Sequence, residues 1–500
     1  MTRVMQRSAR PAMRHGQRIV AVTCLLLALA GCAVGPDYRR PDIALPGQFG
    51  EAEISRDAAS AGDSLVRDDW WTLFNDPALD ALIKQAMAGN ADMLQAVARI
   101  EEAEAVAREA GAAQFPEIDG NLGSSRTQAS TATATPAPAG SPRLRNRHGA
   151  NLSTNFELDV WGRLRRASEA ARAQALASHY AHDTVKLSLA GLVAVNYLAL
   201  RAYDAQLAVT RDVLASREAS LKIVRSRLDA GLISPVDLHQ ATAAIAAAQA
   251  QLADLRQQRA LAEHQLGLLL GSPGLTIAAG DIRQLPAPPV PPPGLPATLL
   301  QARPDIRQVE ENLVSANAQI GVVKATLYPT ISLTGALGSE SRALSDLFTS
   351  AAGTWTLGLD MLLPVLDAGR RSARVDQAVA RQRQAIAAYQ KTVQTAFKEV
   401  NDALVSLRES AEKEQAQATQ AEATKQVLQI TEYRYAGGYS GYLDVLDAQR
   451  SANDAQLGYL ASRQLRLSSA VDLFKALGGG WKDPTPRDAT LAEPPPGQRP

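Results

Sequence analysis

The sequence is poor in nearly everything that an enzyme or a nucleic-acid binder would need. Among its 500 residues are two cysteines, Cys24 and Cys32. Cys24 falls in an N-terminal leader, so the processed chain keeps a single cysteine and no internal disulfide is possible. Histidines number six. His179 and His182 are spaced to share a helical face, but with no third ligand nearby they read as surface residues. No metal site and no cofactor are expected. The His-Glu-x-x-His, Gly-x-Ser-x-Gly, phosphate-loop and dinucleotide-loop signatures are missing. Gly438-Tyr439-Ser440-Gly441 imitates a nucleophile elbow, but the second glycine of that motif would fall on Tyr442. The chain therefore reads as a non-enzyme. Neither sign of charge dominates, with 52 basic and 51 acidic residues and a net charge of +1, so nucleic acid is not expected as a partner. After residue 31 no apolar run approaches the ~20 residues of a membrane helix. If the mature chain spans a membrane, it must do so with strands of a closed barrel.

Aromatics are also few, at 5%, and the chain is instead rich in Ala, Leu, Gln and Arg, which favour long helices. Residues 1–31 form a signal peptide: Arg3, Arg7, Arg10, Arg14 and Arg18, then the apolar run Ile19–Ala30. Leu29-Ala30-Gly31-Cys32 matches the lipobox of bacterial lipoproteins, so Cys32 is the expected lipidation site. Ala33 follows it, where an Asp would mark retention at the inner membrane, which points to the outer one. Residues 32–76 form an extended N-terminal segment.

The chain repeats itself at a period of roughly 200 residues. Gln114-Phe115-Pro116 and Leu327-Tyr328-Pro329 each lead into an alternating segment. A second alternating segment ends at Trp161-Gly162-Arg163 in one half and Ala368-Gly369-Arg370 in the other. A very long helix follows each, breaks near Gly231 or Gly437-Gly438, and restarts near Asp237 or Asp444. The first repeat spans 77–275 and the second 301–480, joined by a Pro-rich connector at 276–300; residues 481–500 are expected to be disordered. Leu189, Val193, Leu200, Tyr203, Leu207, Leu214, Leu221, Val224 and Leu228 keep steps of three and four, as do Leu443, Leu446, Leu457, Leu460, Leu467, Val471 and Phe474. Such a sustained repeat marks coiled-coil seams. At 1.5 Å per residue the first long helix would measure roughly 100 Å.

Strands are expected at 115–126, 149–161, 328–339 and 353–366, each with an apolar and a polar face, as in a membrane barrel. Four strands cannot close a membrane barrel, which starts at about eight. The chain must then oligomerise, and twelve strands leave more room for a lumen than eight, which favours a trimer. Glu157 and Asp159 either face that lumen or belong to a solvated wall. Arg163, Arg165 and Arg166 read as interface residues beside lipid. Residues 126–147 and 339–353 should be extracellular loops.

Several stretches together resemble the outer-membrane factor (TolC-like) family, in its lipoprotein branch serving resistance-nodulation-division efflux systems. They are Cys32-Ala33-Val34-Gly35-Pro36-Asp37-Tyr38, Trp70-Trp71-Thr72-Leu73-Phe74-Asn75-Asp76-Pro77, Arg303-Pro304-Asp305-Ile306-Arg307, Tyr328-Pro329-Thr330-Ile331-Ser332-Leu333 and Tyr442-Leu443-Asp444-Val445-Leu446-Asp447-Ala448-Gln449-Arg450. The resemblance implies a mainly α fold with a membrane β-barrel: a homotrimer whose twelve-stranded barrel continues as a long periplasmic α-helical barrel. It implies a periplasmic adaptor and an inner-membrane pump as partners, outer-membrane lipid around the barrel, and passive conduction of drugs, toxic compounds or metal ions. It also implies that Asp444, Asp447 and Tyr435 form a periplasmic gate. The usual basic partner of that tyrosine falls at Ser440, and an aromatic contact from Tyr439 or Tyr442 would have to replace it. Gly231, Gly437 and Gly438 are expected as left-handed helix ends, and with Asp237 and Ser440 they shape the tips that an adaptor would grip. Acids in a first helical turn also serve the helix dipole, a complete account of Asp237 and a competing one of Asp444. The alternatives are the exit duct of a type I protein secretion system, or a periplasmic coiled-coil lipoprotein that is no channel.

Overall fold

The computed structural model describes residues 33–44, 46, 49, 67–130, 132, 142–291 and 299–482. The signal peptide, Cys32, part of the Pro-rich connector and the tail from Asp483 lie outside the described residues. In chain order the elements are α1 (Pro77–Gly89), α2 (Ala91–Ala112), β1 (Asp119–Gln128), β2 (Leu144–Glu157), α3 (Arg163–Asp229), α4 (Pro235–Leu269), α5 (Leu299–Ala302), α6 (Pro304–Ala325), β3 (Thr330–Ser341), β4 (Gly353–Leu362), α7 (Arg370–Ala436) and α8 (Tyr442–Ala476). The duplication extends to length. Helices α2 and α6 have 22 residues each, α3 and α7 have 67, and α4 and α8 have 35. The chain divides into two units. Among the described residues the first holds those up to Pro41, Glu101–Ala177 and Glu310–Ala388; the second holds Asp42–Ile100, Ser178–Val309 and those from Tyr389 onward.

The first unit contains one antiparallel sheet in the order β1-β2-β3-β4. Its strands differ in extent from the alternation in the sequence. β1 starts at Asp119, leaving Phe115 and Ile118 outside, and Arg126–Gln128 pair with Leu144–Asn146 where a loop was expected. β2 stops at Glu157, although the alternation continues through Leu158 and Val160. The reason is the next helix. Asp159 accepts from the backbone N–H groups of Leu164 (3.0 Å) and Arg165 (2.9 Å), so it caps the start of α3 and draws the chain out of the sheet. Glu157 holds Arg163 through two bonds of 2.8 and 2.6 Å. Neither carboxylate is a bare lumen-facing charge. The three arginines expected beside lipid are likewise engaged: Arg163 by Glu157, Arg165 by Asp159, and Arg166 by Asp37 and Glu169.

Register sorts the sheet into two chemistries, because side chains alternate across a strand. Leu152 lies opposite Gly120 on one side and Leu337 on the other, and Leu337 lies opposite Trp355. Phe156, Leu333 and Leu359 form a parallel row, and Ile331 faces Met361. That face is apolar yet open: Trp355 is 78% exposed and Leu122 84%. The opposite face carries Asn121, Asn151, Ser153, Asn155, Thr334, Thr356 and Asp360. There Asn121 bonds Ser153 (3.1 Å) and Thr334 donates to Asp360 (3.1 Å). β1 and β4 are both free edges among the described residues.

The segment after Cys32 is strapped to the first unit. Val34 N–H donates to the Trp161 carbonyl (2.9 Å), Asn317 to the Pro36 carbonyl (2.8 Å), and Arg40 clasps the buried Glu310 through two bonds of 2.8 Å. Two glycines permit the fit. A Cβ on Gly35, whose φ is +122°, would meet Gly321 Cα at 2.6 Å, and one on Gly162 would meet Ala33 at 2.9 Å.

In the second unit the Trp70-Trp71 motif closes a core. Trp70, Trp71 and Phe74 are buried on a short 3-10 turn, and Trp70 stacks on Phe474 with ring centres 5.5 Å apart. Asp76 caps α1 by accepting from Ala78 N–H (2.9 Å), with Pro77 in the first helical position, and it also accepts the Tyr197 hydroxyl. Arg303, buried beside these elements, pairs with Asp305 (2.7 Å) and Glu399 (2.8 Å) and donates to the Ala476 carbonyl (3.0 Å). One expectation fails here: α3 does hold a stretch long and apolar enough to cross a membrane. Its Leu189, Val193, Tyr197, Leu198 and Leu200 are instead sequestered in this core. A water-excluding protein interior and a lipid tail ask for the same side chains.

Candidate functional site

The site expected from sequence lies where the long helices end and turn back, within the second unit. Both ends close by the same pattern. Gly231 N–H donates to the Leu228 carbonyl (2.8 Å) and Leu232 N–H to that of Arg227 (2.9 Å). Gly438 N–H donates to the Tyr435 carbonyl (3.1 Å) and Tyr439 N–H to that of Arg434 (2.8 Å). These paired bonds are the Schellman motif, which requires a left-handed residue. Gly231 (φ 72°) and Gly438 (φ 81°) supply it. Gly437 does not, which corrects the expectation. Its place is the position between Ala436, the last residue of α7, and the left-handed Gly438, where a Cβ would come within 3.0 Å of the Tyr439 ring.

The restarts differ. Ser234 caps α4, its hydroxyl accepting from Val236 N–H (3.2 Å), and Pro235 and Asp237 follow in the first turn. In the other half Gly441 stands at the cap, and Asp444 Oδ2 reaches back to accept its N–H at 3.0 Å. Asp444 therefore has a structural bond of its own. Asp447 pairs with Arg450 at 2.6 Å, both well exposed. Ser440 Oγ is buried with no partner among the described residues.

Tyr435 packs against Tyr442, ring centres 5.6 Å apart, so the aromatic contact expected in place of a basic partner at 440 is present. A basic partner is present as well, from the other half. The Arg227 guanidinium sits 4.4 Å over the Tyr435 ring and donates to the Tyr435 (3.4 Å) and Ala436 (3.4 Å) carbonyls. Cation–π attraction and relief of orphan helix carbonyls act together there. Sequence reasoning missed Arg227. Its one local signal is a basic residue in the last turn of a helix. The turns share a small apolar core of Val224, Ala241, Tyr442 and Val445. Hence the heptad seam of α8 begins at buried Tyr442, not at Leu443, which is 63% exposed. Burial, with the neighbouring Tyr435, pushes the Tyr442 phenol above its ordinary pKa. Burial disfavours the charge of Arg217, whose guanidinium donates to the Ala244 carbonyl at 2.6 Å.

Residues 82–272 and 295–479 match the sequence profile of the outer membrane efflux protein family, one match per repeat. The probable efflux pump outer membrane protein SepC of Pseudomonas putida is 35% identical over 463 residues, covering 91% of this chain and 96% of its own. The cation efflux system protein CusC of Escherichia coli is 33% identical over 464 residues, covering 92% and 98%. Among solved structures, the outer-membrane channel OprN superposes with a TM-score of 0.83 at 30% identity, over 90% of this chain and 100% of that one. A structure of CusC superposes with a TM-score of 0.80 at 31% identity, again over 90% and 100%. The open sheet with one apolar and one polar face, the paired long helices and these matches agree: the chain belongs to the outer membrane efflux protein family and is an outer-membrane efflux channel with a large periplasmic helical part.

Proposed function

We propose that three copies of this chain join their sheets edge to edge into a twelve-stranded barrel, the passive exit of a three-part efflux system. One observation carries the reading: a four-stranded sheet whose two edges are free among the described residues, apolar and exposed on one face and polar on the other. Free edges are a liability that closure removes, and a barrel of about twelve strands holds a lumen. The apolar face then meets lipid and the polar face water. A periplasmic adaptor and an inner-membrane pump deliver the solute and the energy. Small molecules are the cargo; the relatives' names range over toluene, antibiotics and cations, as suits ducts whose partners choose the substrate. Cys32 carries lipid, and the docking of Ala33 beside Gly162, just after β2, supports an anchor near the end of that strand. Gly231, Asp237, Gly437, Gly438 and Ser440 form the turns an adaptor grips.

In the gate we assign, three-fold symmetry gathers Asp444 and Asp447 of each copy into a carboxylate ring, and Tyr435, held by Arg227 and Tyr442, keeps the helix ends together. Such a ring attracts and retains cations. The test is single-channel recording in planar bilayers of Asp444→Ala/Asp447→Ala. Higher conductance or weaker block by multivalent cations is expected, and no change in either removes the gate from these residues. Purification as a detergent-free monomer would sink the duct itself.

A further inference from the structure

We propose that the outer end of the pore carries a ladder of arginines that binds polyvalent oxyanions. The proposal rests on the barrel reading above. Arg143-Leu144-Arg145-Asn146-Arg147 places an arginine at every second position. Arg145 and Arg147 lie in β2, opposite Thr127 and Ser125. By alternation they share the face of Asn151, Ser153 and Asn155, away from that of Leu152 and Phe156. Arg143 continues the ladder just beyond the strand, where its carbonyl accepts from Ala129 N–H at 2.8 Å. Successive guanidinium groups leave the same face about 7 Å apart along the strand.

Little acid opposes them. Glu340 pairs with Arg147 at 2.8 Å, and both are substantially exposed, at 47% and 70%. Among the described residues no carboxylate lies within ion-pair reach of Arg143 or Arg145. The connection from Thr131 to Ser141 contains no Asp or Glu, and the segment between β3 and β4 holds one basic residue, Arg342, and one acidic, Asp346. At the opposite end of the same face stand Asp119 and Asp360, with Glu157 neutralised by Arg163. The polar wall thus runs from acidic to basic toward the β1–β2 hairpin. Three copies in a ring would repeat the ladder three times around a narrow, water-filled mouth, where field lines concentrate. Each guanidinium offers a planar fork that matches two oxygens of a phosphate or carboxylate. The ladder faces water and not lipid, so a soluble polyanion is the ligand and a lipid headgroup is not.

The test uses the purified full-length protein in planar bilayers of phosphatidylcholine, with tripolyphosphate added on the side of the strand hairpins. Block of the unaltered channel is expected, weakening as salt rises. Arg143→Ser/Arg145→Ser/Arg147→Ser should need roughly tenfold more tripolyphosphate for the same block, and the all-lysine variant should keep most of it. Calorimetric titration of tripolyphosphate into detergent-solubilised protein gives a second readout that does not depend on whether the gate conducts. Conducting trimers whose block and binding are the same with serine would overturn the ladder and leave the duct intact. Block lost only when anionic lipid is added would also overturn it, since the headgroups would be occupying the arginines. If the unaltered protein forms no trimer and no pore, the duct reading fails first.

Discussion

The first half of the chain turns through Gly231 and restarts on Ser234, whereas the second turns through Gly438 and restarts on Gly441. The stops are alike to the hydrogen bond, since both need a left-handed residue to bring two N–H groups onto the helix's last carbonyls. The starts reach one end by opposite routes. In the first, a cap side chain reaches forward to a helical N–H; in the second, a helical side chain reaches back to the cap N–H. Duplication has therefore kept the backbone path and let the residues that support it diverge. Asp237 and Asp444 hold equivalent positions, yet only Asp444 is tied to its cap. Removing Asp444 disturbs the turn as well as any carboxylate ring, so Asp447 is the cleaner probe of a gate.

Arg227 crosses from one turn to the other, and its loss should have the largest effect. Arg227→Ala is expected to destabilise the second turn by about 2 kcal/mol, the upper range for a cation–π contact, and to speed hydrogen exchange at Tyr435–Tyr439. Exchange rising only around Gly231 would confine Arg227 to its own helix end. Next come the stops. A Cβ on Gly231 or Gly438 meets nothing within 4 Å, so alanine at either should cost only the left-handed penalty, about 1–2 kcal/mol. Unequal costs in thermal melts would show that the two stops are not equivalent. The starts follow. Ser234→Ala should cost about 1 kcal/mol, while Gly441→Ser should stabilise, because the cap is extended (φ −77°, ψ 163°) and can accept a serine. A loss with Gly441→Ser would mean that Asp444 already satisfies that end.

The smallest effect concerns pH. Tyr442 stands where the first half has Pro235. Burial favours its neutral form, raising its folded pKa above the ordinary 10.0. The stability it contributes is complete below about pH 10 and declines as pH rises through the raised value. Limited proteolysis between pH 8 and 11 should open the second turn before the first, and Tyr442→Phe should remove the difference. Equal opening in the wild-type chain would place the cause elsewhere.

Much of the fold was legible in the sequence because its signals are local and repeated. The heptad steps, the stops near glycine and the period-two strands each follow from backbone geometry over a few residues. Where that reading failed, a distant partner decided. Leu158 and Val160 continue a strand pattern, but Asp159 is committed to the helix that follows. Of two adjacent glycines, hydrogen bonding alone picks Gly438 over Gly437. Arg227 could not be paired with Tyr435 from sequence, since 208 residues separate them.

By itself the sequence determined the duplicated order, the long helices and the alternation of four strands. Propensity and periodicity act along the chain and need no knowledge of what lies across it. Tertiary structure decided which apolar residues are hidden and which remain open. The apolar stretch of α3 and the apolar stripe of β4 look equally greasy as text, yet one is buried by Trp70 and Phe474 while the other stays exposed. It also decided which charges are spent on holding the chain together, as at Glu157, Asp159 and Asp444. That division follows from neighbours in space, and short-range sequence patterns do not encode them.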